Sequence, residues 1–180
     1  MTMKKLSPVA QKFILHWGEM GTRWGINRTV AQIHALLFLS SRPVPAEEIA
    51  ATLGIARSNV SNSLRELQNW GIVRVVHVLG DRRDHFDSMK DVFAMFRVII
   101  RERKKREINP TLHLLQECIA AADKPKLADR YTRGRLTDLL QFFELAETAY
   151  LQLERLPTTA LFKLAKMGDK SLRLLGLGKG

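Results

Sequence analysis

The chain has 180 residues, 46% of them hydrophobic and 26% charged, which is enough apolar material for a buried core and excludes a disordered tail. Its net charge of +11 points to a polyanionic partner, nucleic acid ahead of an anionic membrane surface, although charge alone leaves a basic protein without such a partner equally open. No run of about 18 apolar residues exists, so no transmembrane span is expected.

The first predicted helix covers residues 7–24. Val9, Phe13, Trp17 and Met20 recur at helical spacing, with Ile14 and Trp24 beside them. Pro8 suits its first turn, and Gly21 and Gly25 weaken or end it. A second helix over Thr29–Leu39 is apolar almost all round and is therefore expected to be central. Arg42-Pro43-Val44 reads as an extended link. The third helix, Ala46–Leu53, has Glu47 and Glu48 in its first turn and Gly54 as its left-handed stop. The fourth, about Arg57–Trp70, turns Val60, Leu64 and Leu67 inward and ends at Gly71. Its other face carries Arg57, Ser58, Asn59, Ser61, Asn62 and Arg65. Ile72–Leu79 reads as a strand, Gly80-Asp81-Arg82-Arg83 as a basic turn, and Asp84–Ser88 as the returning strand.

A long helix follows over Met89–Glu107, with Val92, Phe93, Phe96, Ile99 and Ile100 as its stripe and the basic end Arg101–Arg106. Asn109-Pro110 is expected to break it. A shorter helix, Thr111–Ala122, carries Cys118 and stops at Asp123-Lys124-Pro125. Another long one covers Asp129–Arg155. Pro157 opens a last apolar helix through Leu161, Leu164 and Ala165, and Gly176–Gly180 is expected to fray. There is no internal repeat. The single cysteine cannot form an intrachain disulfide, which fits a reducing cytoplasm. Polar residues Gln11, Lys12, His16 and Glu19 interrupt the N-terminal apolar residues, so no signal peptide is expected.

Helix, tight turn, helix and β-ribbon in that order describe a winged helix-turn-helix. The expected fold is mainly α, with a DNA-binding domain over residues 1–90 and a helical dimerisation and effector region over 91–180. The fourth helix is the candidate major-groove reader: Asn59 and Asn62 can pair with adenine, Arg57 and Arg65 with guanine or phosphate, and Ser58 and Ser61 permit close approach. Arg82 and Arg83 are the candidate wing contacts. A plain solvated helix face and a plain surface turn are the competing readings, and the order of elements favours DNA.

The stretch Asn59-Val-Ser-Asn-Ser-Leu-Arg-Glu-Leu-Gln-Asn-Trp-Gly-Ile-Val-Arg74, followed by Gly80-Asp-Arg-Arg-Asp-His-Phe86, resembles the GbsR-type branch of the MarR transcriptional regulators. The resemblance implies a bacterial homodimer that binds a pseudo-palindromic operator in double-stranded DNA. It also implies Arg57–Arg65 in the major groove, Arg82 and Arg83 at the wing, and a link to choline and glycine-betaine metabolism. Pro45 and Ala56 depart from the pattern, because they stand where a Ser or Thr helix cap is usual, and such a loss costs about 1 kcal/mol.

Trp17, Trp24, Phe86 and Phe93, with Phe96 and Tyr150, could cage a quaternary ammonium effector, although aromatics at helical spacing are more often core. Cys118 reads as a buried structural thiol in preference to a redox sensor. Asp81, Asp84, His85 and Asp87 fit no tetrahedral metal pattern. No phosphate loop, metalloprotease motif or nucleophile–base set is present, so neither an enzyme nor a cofactor is expected. The alternative function is an architectural or protein-interaction module without a specific operator.

Overall fold

The computed structural model describes residues 6–122, 129–160 and 163, and the chain divides into two units, Met1–Ile99 and Ile100–Gly180. In the first unit, α1 (Pro8–Arg23) begins at Ser7, whose hydroxyl accepts from the Ala10 N–H at 3.2 Å. α2 (Arg28–Leu39) begins at Asn27, whose Oδ1 accepts from the Thr29 N–H at 2.8 Å. Each cap satisfies one of the orphan donors at a helix start.

Gly21 does not weaken α1. A Cβ placed there would lie 2.5 Å from the Ala31 Cβ, and one at Gly18 would lie 2.7 Å from the Gln32 Cγ. The two glycines let α1 lie close on α2. α1 also buries Ile14, whereas Val9 stays exposed. Phe13 and Trp17 of the expected stripe pack against the core and Met20 is half-buried, so Val9 alone of the four falls off the inward face.

As expected, α2 is central: Val30, Ala31, Ile33, His34, Ala35, Leu36 and Leu37 are buried. Packed with it are Ile49 of α3 (Ala46–Leu53) and Val60, Leu64 and Leu67 of α4 (Arg57–Asn69). Burying one such aliphatic side chain is worth about 1.5–3 kcal/mol. The expected link at Val44 is a strand: β1 (Val44–Pro45) pairs antiparallel with β3 (Asp81–Ser88), which pairs with β2 (Val73–Val78) on its other side, in the order β1-β3-β2.

α5 (Val92–Arg103) starts at Asp91, whose Oδ1 accepts from the Phe93 and Ala94 N–H groups at 2.9 and 3.0 Å. It buries Met95 and Ile99, while Val92, Phe93, Phe96 and Ile100 remain exposed. Asn109-Pro110 does not break the chain's helical course. Residues Lys104–Ile108 form a π-helical turn, and α6 (Asn109–Ala122) follows directly. The Asn109 N–H reaches back to the Lys104 carbonyl, five residues away. The wider turn leaves room for the ring of Pro110, which has no N–H to give.

In the second unit, Leu112 and Leu115 of α6 are buried and Cys118 is half-buried, more open than the buried thiol expected. α7 (Arg130–Arg155) is capped by Asp129 and buries no residue along its 26 positions. The cations of Arg101–Arg106 form no free basic patch. Arg101 pairs with Glu154 at 2.7 Å, Arg103 with Glu107 at 3.1 Å, Lys105 with Glu102 at 2.8 Å, Arg106 with Glu107 at 3.1 Å, and Lys104 with Glu147. Asp123-Lys124-Pro125, the last helix beyond residue 160 and Gly176–Gly180 lie outside the described residues. No helix among the described residues is long and apolar enough to cross a membrane.

Candidate nucleic-acid interface

α4 is held by one side and presented by the other. Val60, Leu64 and Leu67 are at most 2% exposed, so the helix cannot roll without opening the core. Helical periodicity then places Arg57, Ser58, Asn59, Ser61, Asn62 and Arg65 in solvent, and all six are exposed. Gln68, seven residues on from Ser61, is exposed as well and extends the face by a turn. The same spacing makes it readable from sequence. Gly54, at φ 65°, makes the tight turn between α3 and α4, a left-handed conformation that a side chain resists. Neither Pro45 nor Ala56 makes a side-chain cap bond, so the helix starts lack the hydroxyls usual there.

The wing differs from expectation in register. Val78 pairs with Asp81, so the tip is Leu79-Gly80, with Gly80 at φ 82°, and Arg82 and Arg83 lie on β3. Leu79 is fully exposed at that tip. Asp81 organises the strand start. Its carboxylate accepts from the Arg83 backbone N–H at 3.0 Å and from Arg83 Nε and Nη2 at 2.9 and 2.5 Å. These bonds, the side-chain one foremost, hold the Asp81 carboxyl well below the usual carboxylate range. The same bond raises the Arg83 pKa, with Glu47 and Glu48 adding to it. Buried His85 sets Nδ1 2.9 Å from the Arg83 carbonyl and Nε2 3.4 Å from Asp81.

The base of the wing is tied to the core. Arg74 meets Asp87 at 3.2 Å. Lys90 donates to the carbonyls of Leu37, Ser40 and Phe38 at 2.6, 2.9 and 3.2 Å, and so satisfies the end of α2.

The four candidate arginines are not alike. Arg57 pairs with Glu47 of α3, and Arg83 with Asp81. Arg65 and Arg82 have no hydrogen bond or ion pair among the described residues. Sequence reading placed Glu47 only at a helix dipole and missed its pairing with Arg57, because that pairing is made across the turn.

The aromatic residues separate. Trp17 and Trp24 stand 6.4 Å apart, centroid to centroid, and line a cavity of about 30 Å³ with Met20, His34, Trp70 and Ile99. Phe86 lies in the core opposite Val44 and Val75, Phe93 is exposed on α5, and neither lines that cavity. A volume of this size holds about one water. His34 is buried there with Nε2 unpartnered, and burial, with Lys90 adding, lowers its pKa to about 4. No group of three His, Cys, Asp or Glu residues among the described ones is arranged to hold a metal.

Residues 24–84 match the family model of the MarR family. This segment folds as a winged helix-turn-helix. The match covers α3, α4, the wing tip and Asp81–Arg83. A solved structure described as a transcriptional regulator is similar to this chain at 19% identity and a TM-score of 0.59, covering 82% of this chain and 96% of its own. A mutant of MepR from S. aureus, bound to an oligodeoxyribonucleotide, is 13% identical at a TM-score of 0.39, over 77% of this chain and 92% of its own. No curated protein matches the chain.

Proposed function

We propose that this protein is a transcriptional regulator that reads duplex DNA with α4 and grips the flanking backbone with β3. The observation that carries the reading is the exposed face of α4. It is polar and basic throughout, with no large aliphatic side chain in the way, on a helix whose other face is locked into the core. A major groove admits such a helix, and Asn and Arg match the edges of adenine and guanine. Ser58 and Ser61 suit phosphate contacts, and Arg82 suits a minor groove.

The finer reading is a homodimeric repressor of the GbsR type on a pseudo-palindromic operator, with half-site centres about one helical turn apart. The bare α7 supports the dimer: Leu139, Phe142, Leu145, Leu151 and Leu153 are exposed on it. A quaternary ammonium effector such as choline completes the reading. The cavity at Trp17 and Trp24 is too small for one, but the second unit has a groove of about 440 Å³ lined by Phe142, Phe143, Tyr150, Lys104 and Glu147. The Lys104 ammonium sits 5.7 Å from the Tyr150 ring centroid, so that ring face already accepts a cation, with Glu147 as counter-charge. The ligand must bind two dimer states with different affinity to release DNA.

Selection of bound duplexes from random oligonucleotides, with and without choline, tests the reading. A two-fold symmetric consensus is expected, weakened by choline. Binding without preference over random duplex at physiological salt would overturn it in favour of an architectural module.

A further inference from the structure

Glu47 lies in the first turn of α3, and Arg57 opens α4 ten residues later. The Gly54 turn folds the chain back so that Glu47 Oε1 takes Arg57 Nη2. Glu48 is already taken by Arg42 at 2.6 Å, so it does not share the task. We propose that Glu47 separates two binding modes of the DNA interface: its carboxylate stands in for a phosphate and holds Arg57 until a duplex seats α4 fully. The inference rests on the DNA-reading assignment above.

The pair is exposed, at 72% for Arg57 and 40% for Glu47. An exposed pair of this kind shifts an equilibrium by no more than about fivefold. That is enough to compete with the loose phosphate contacts of non-specific binding and too little to resist a phosphate fixed in register. Loosely bound duplex then meets Arg65 and Arg82 as unpaired cations and leaves Arg57 on Glu47. A fully seated duplex gains Arg57 as well. Glu47 therefore withholds one phosphate contact from loosely bound DNA, while the operator, which must break the pair, gives up at least as much affinity to it.

The test uses the full chain, its selected operator and a random duplex, each titrated over a range of salt. Glu47→Gln should tighten random-duplex binding about two- to fivefold. It should steepen the slope of log K against log salt for that duplex by about 0.9 per reading head, the signature of one more neutralised phosphate. The operator slope should not change. Because Glu47→Gln also adds a net positive charge, it is repeated in an Arg57→Gln background, where its effect should vanish. Glu47→Asp keeps the charge and should retain the wild-type slope, which guards against a folding defect in the Gln variant. An unchanged random-duplex slope, equal weakening on both duplexes, or an effect that survives in Arg57→Gln would overturn the proposal. Wild-type protein without sequence preference would overturn the DNA-reading assignment together with it. Sequence preference together with a random-duplex slope that Glu47→Gln leaves untouched would overturn this proposal alone.

Discussion

His34 sets an imidazole where its Nε2 has no partner, between Trp17 at 6.3 Å and Phe38 at 6.1 Å. Its pKa falls from 6.5 to about 4 on folding, so the unfolded chain binds more protons between those values. Stability is therefore fully present above about pH 6.5 and is lost as the pH falls towards 4, by roughly 3 kcal/mol in all. Urea unfolding from pH 7 to pH 4 should show this loss, and His34→Phe should remove most of it. At the reading face, Asn62→Ala should cost about 1–3 kcal/mol at one or two base positions and nothing at the others. Binding to single-base operator variants checks this, and a uniform loss would assign Asn62 to structure. The six polar residues of α4 were readable from sequence because a 3.6-residue period with Val60, Leu64 and Leu67 inward leaves them no other place. The partners of Arg57 and Arg83 were less so, since which carboxylate an arginine finds is decided by the turn that brings the two together.

Glycine shows how an element's neighbours decide the sign of one substitution. Helix propensity favours Ala over Gly by about 1 kcal/mol in a helix interior. At Gly134 in α7 an added Cβ meets nothing within 4 Å, so Gly134→Ala should stabilise by up to about that amount. At Gly21 the Cβ would meet Ala31 at 2.5 Å, and overpacking costs about 1–3 kcal/mol, so Gly21→Ala should destabilise. Thermal melts of the two variants, opposite in sign, check the pair. From sequence both are glycines inside helical patterns, and the close approach that separates them is tertiary. The same limit explains β1. Two residues ending in a proline carry no strand period, and only pairing with Phe86 and His85 makes them one. The wing shifted because the sequence Gly80-Asp-Arg-Arg reads as a turn. Asp81 instead bonds the backbone and side chain of Arg83, which leaves Leu79-Gly80 as the tip. Pro110 was expected to stop a helix, and the π turn absorbed it by widening.

Across the whole chain, the first unit closes its own core, with Ile14, Ile33, Leu37, Ile49, Val60, Leu64 and Leu67 almost wholly buried. α7 does not: about 39 Å of helix at 1.5 Å per residue has no buried side chain. On the dimer reading, Phe142→Asp with Leu145→Asp should shift the protein to monomer in sedimentation and abolish operator binding. Gly134→Ala, on the same helix, should leave both unchanged. The melting of the second unit should rise with protein concentration, because a partner that binds only the folded form stabilises it by mass action. That bare helix has a consequence in the cell. If two copies must meet before DNA is read, the active species grows as the square of the monomer concentration while dimers are scarce, so a twofold change in dose is felt as about a fourfold change in dimer. Abundance then becomes an input in its own right. A gene repressed by such a protein would respond to its dilution at cell growth, sharply and without any ligand.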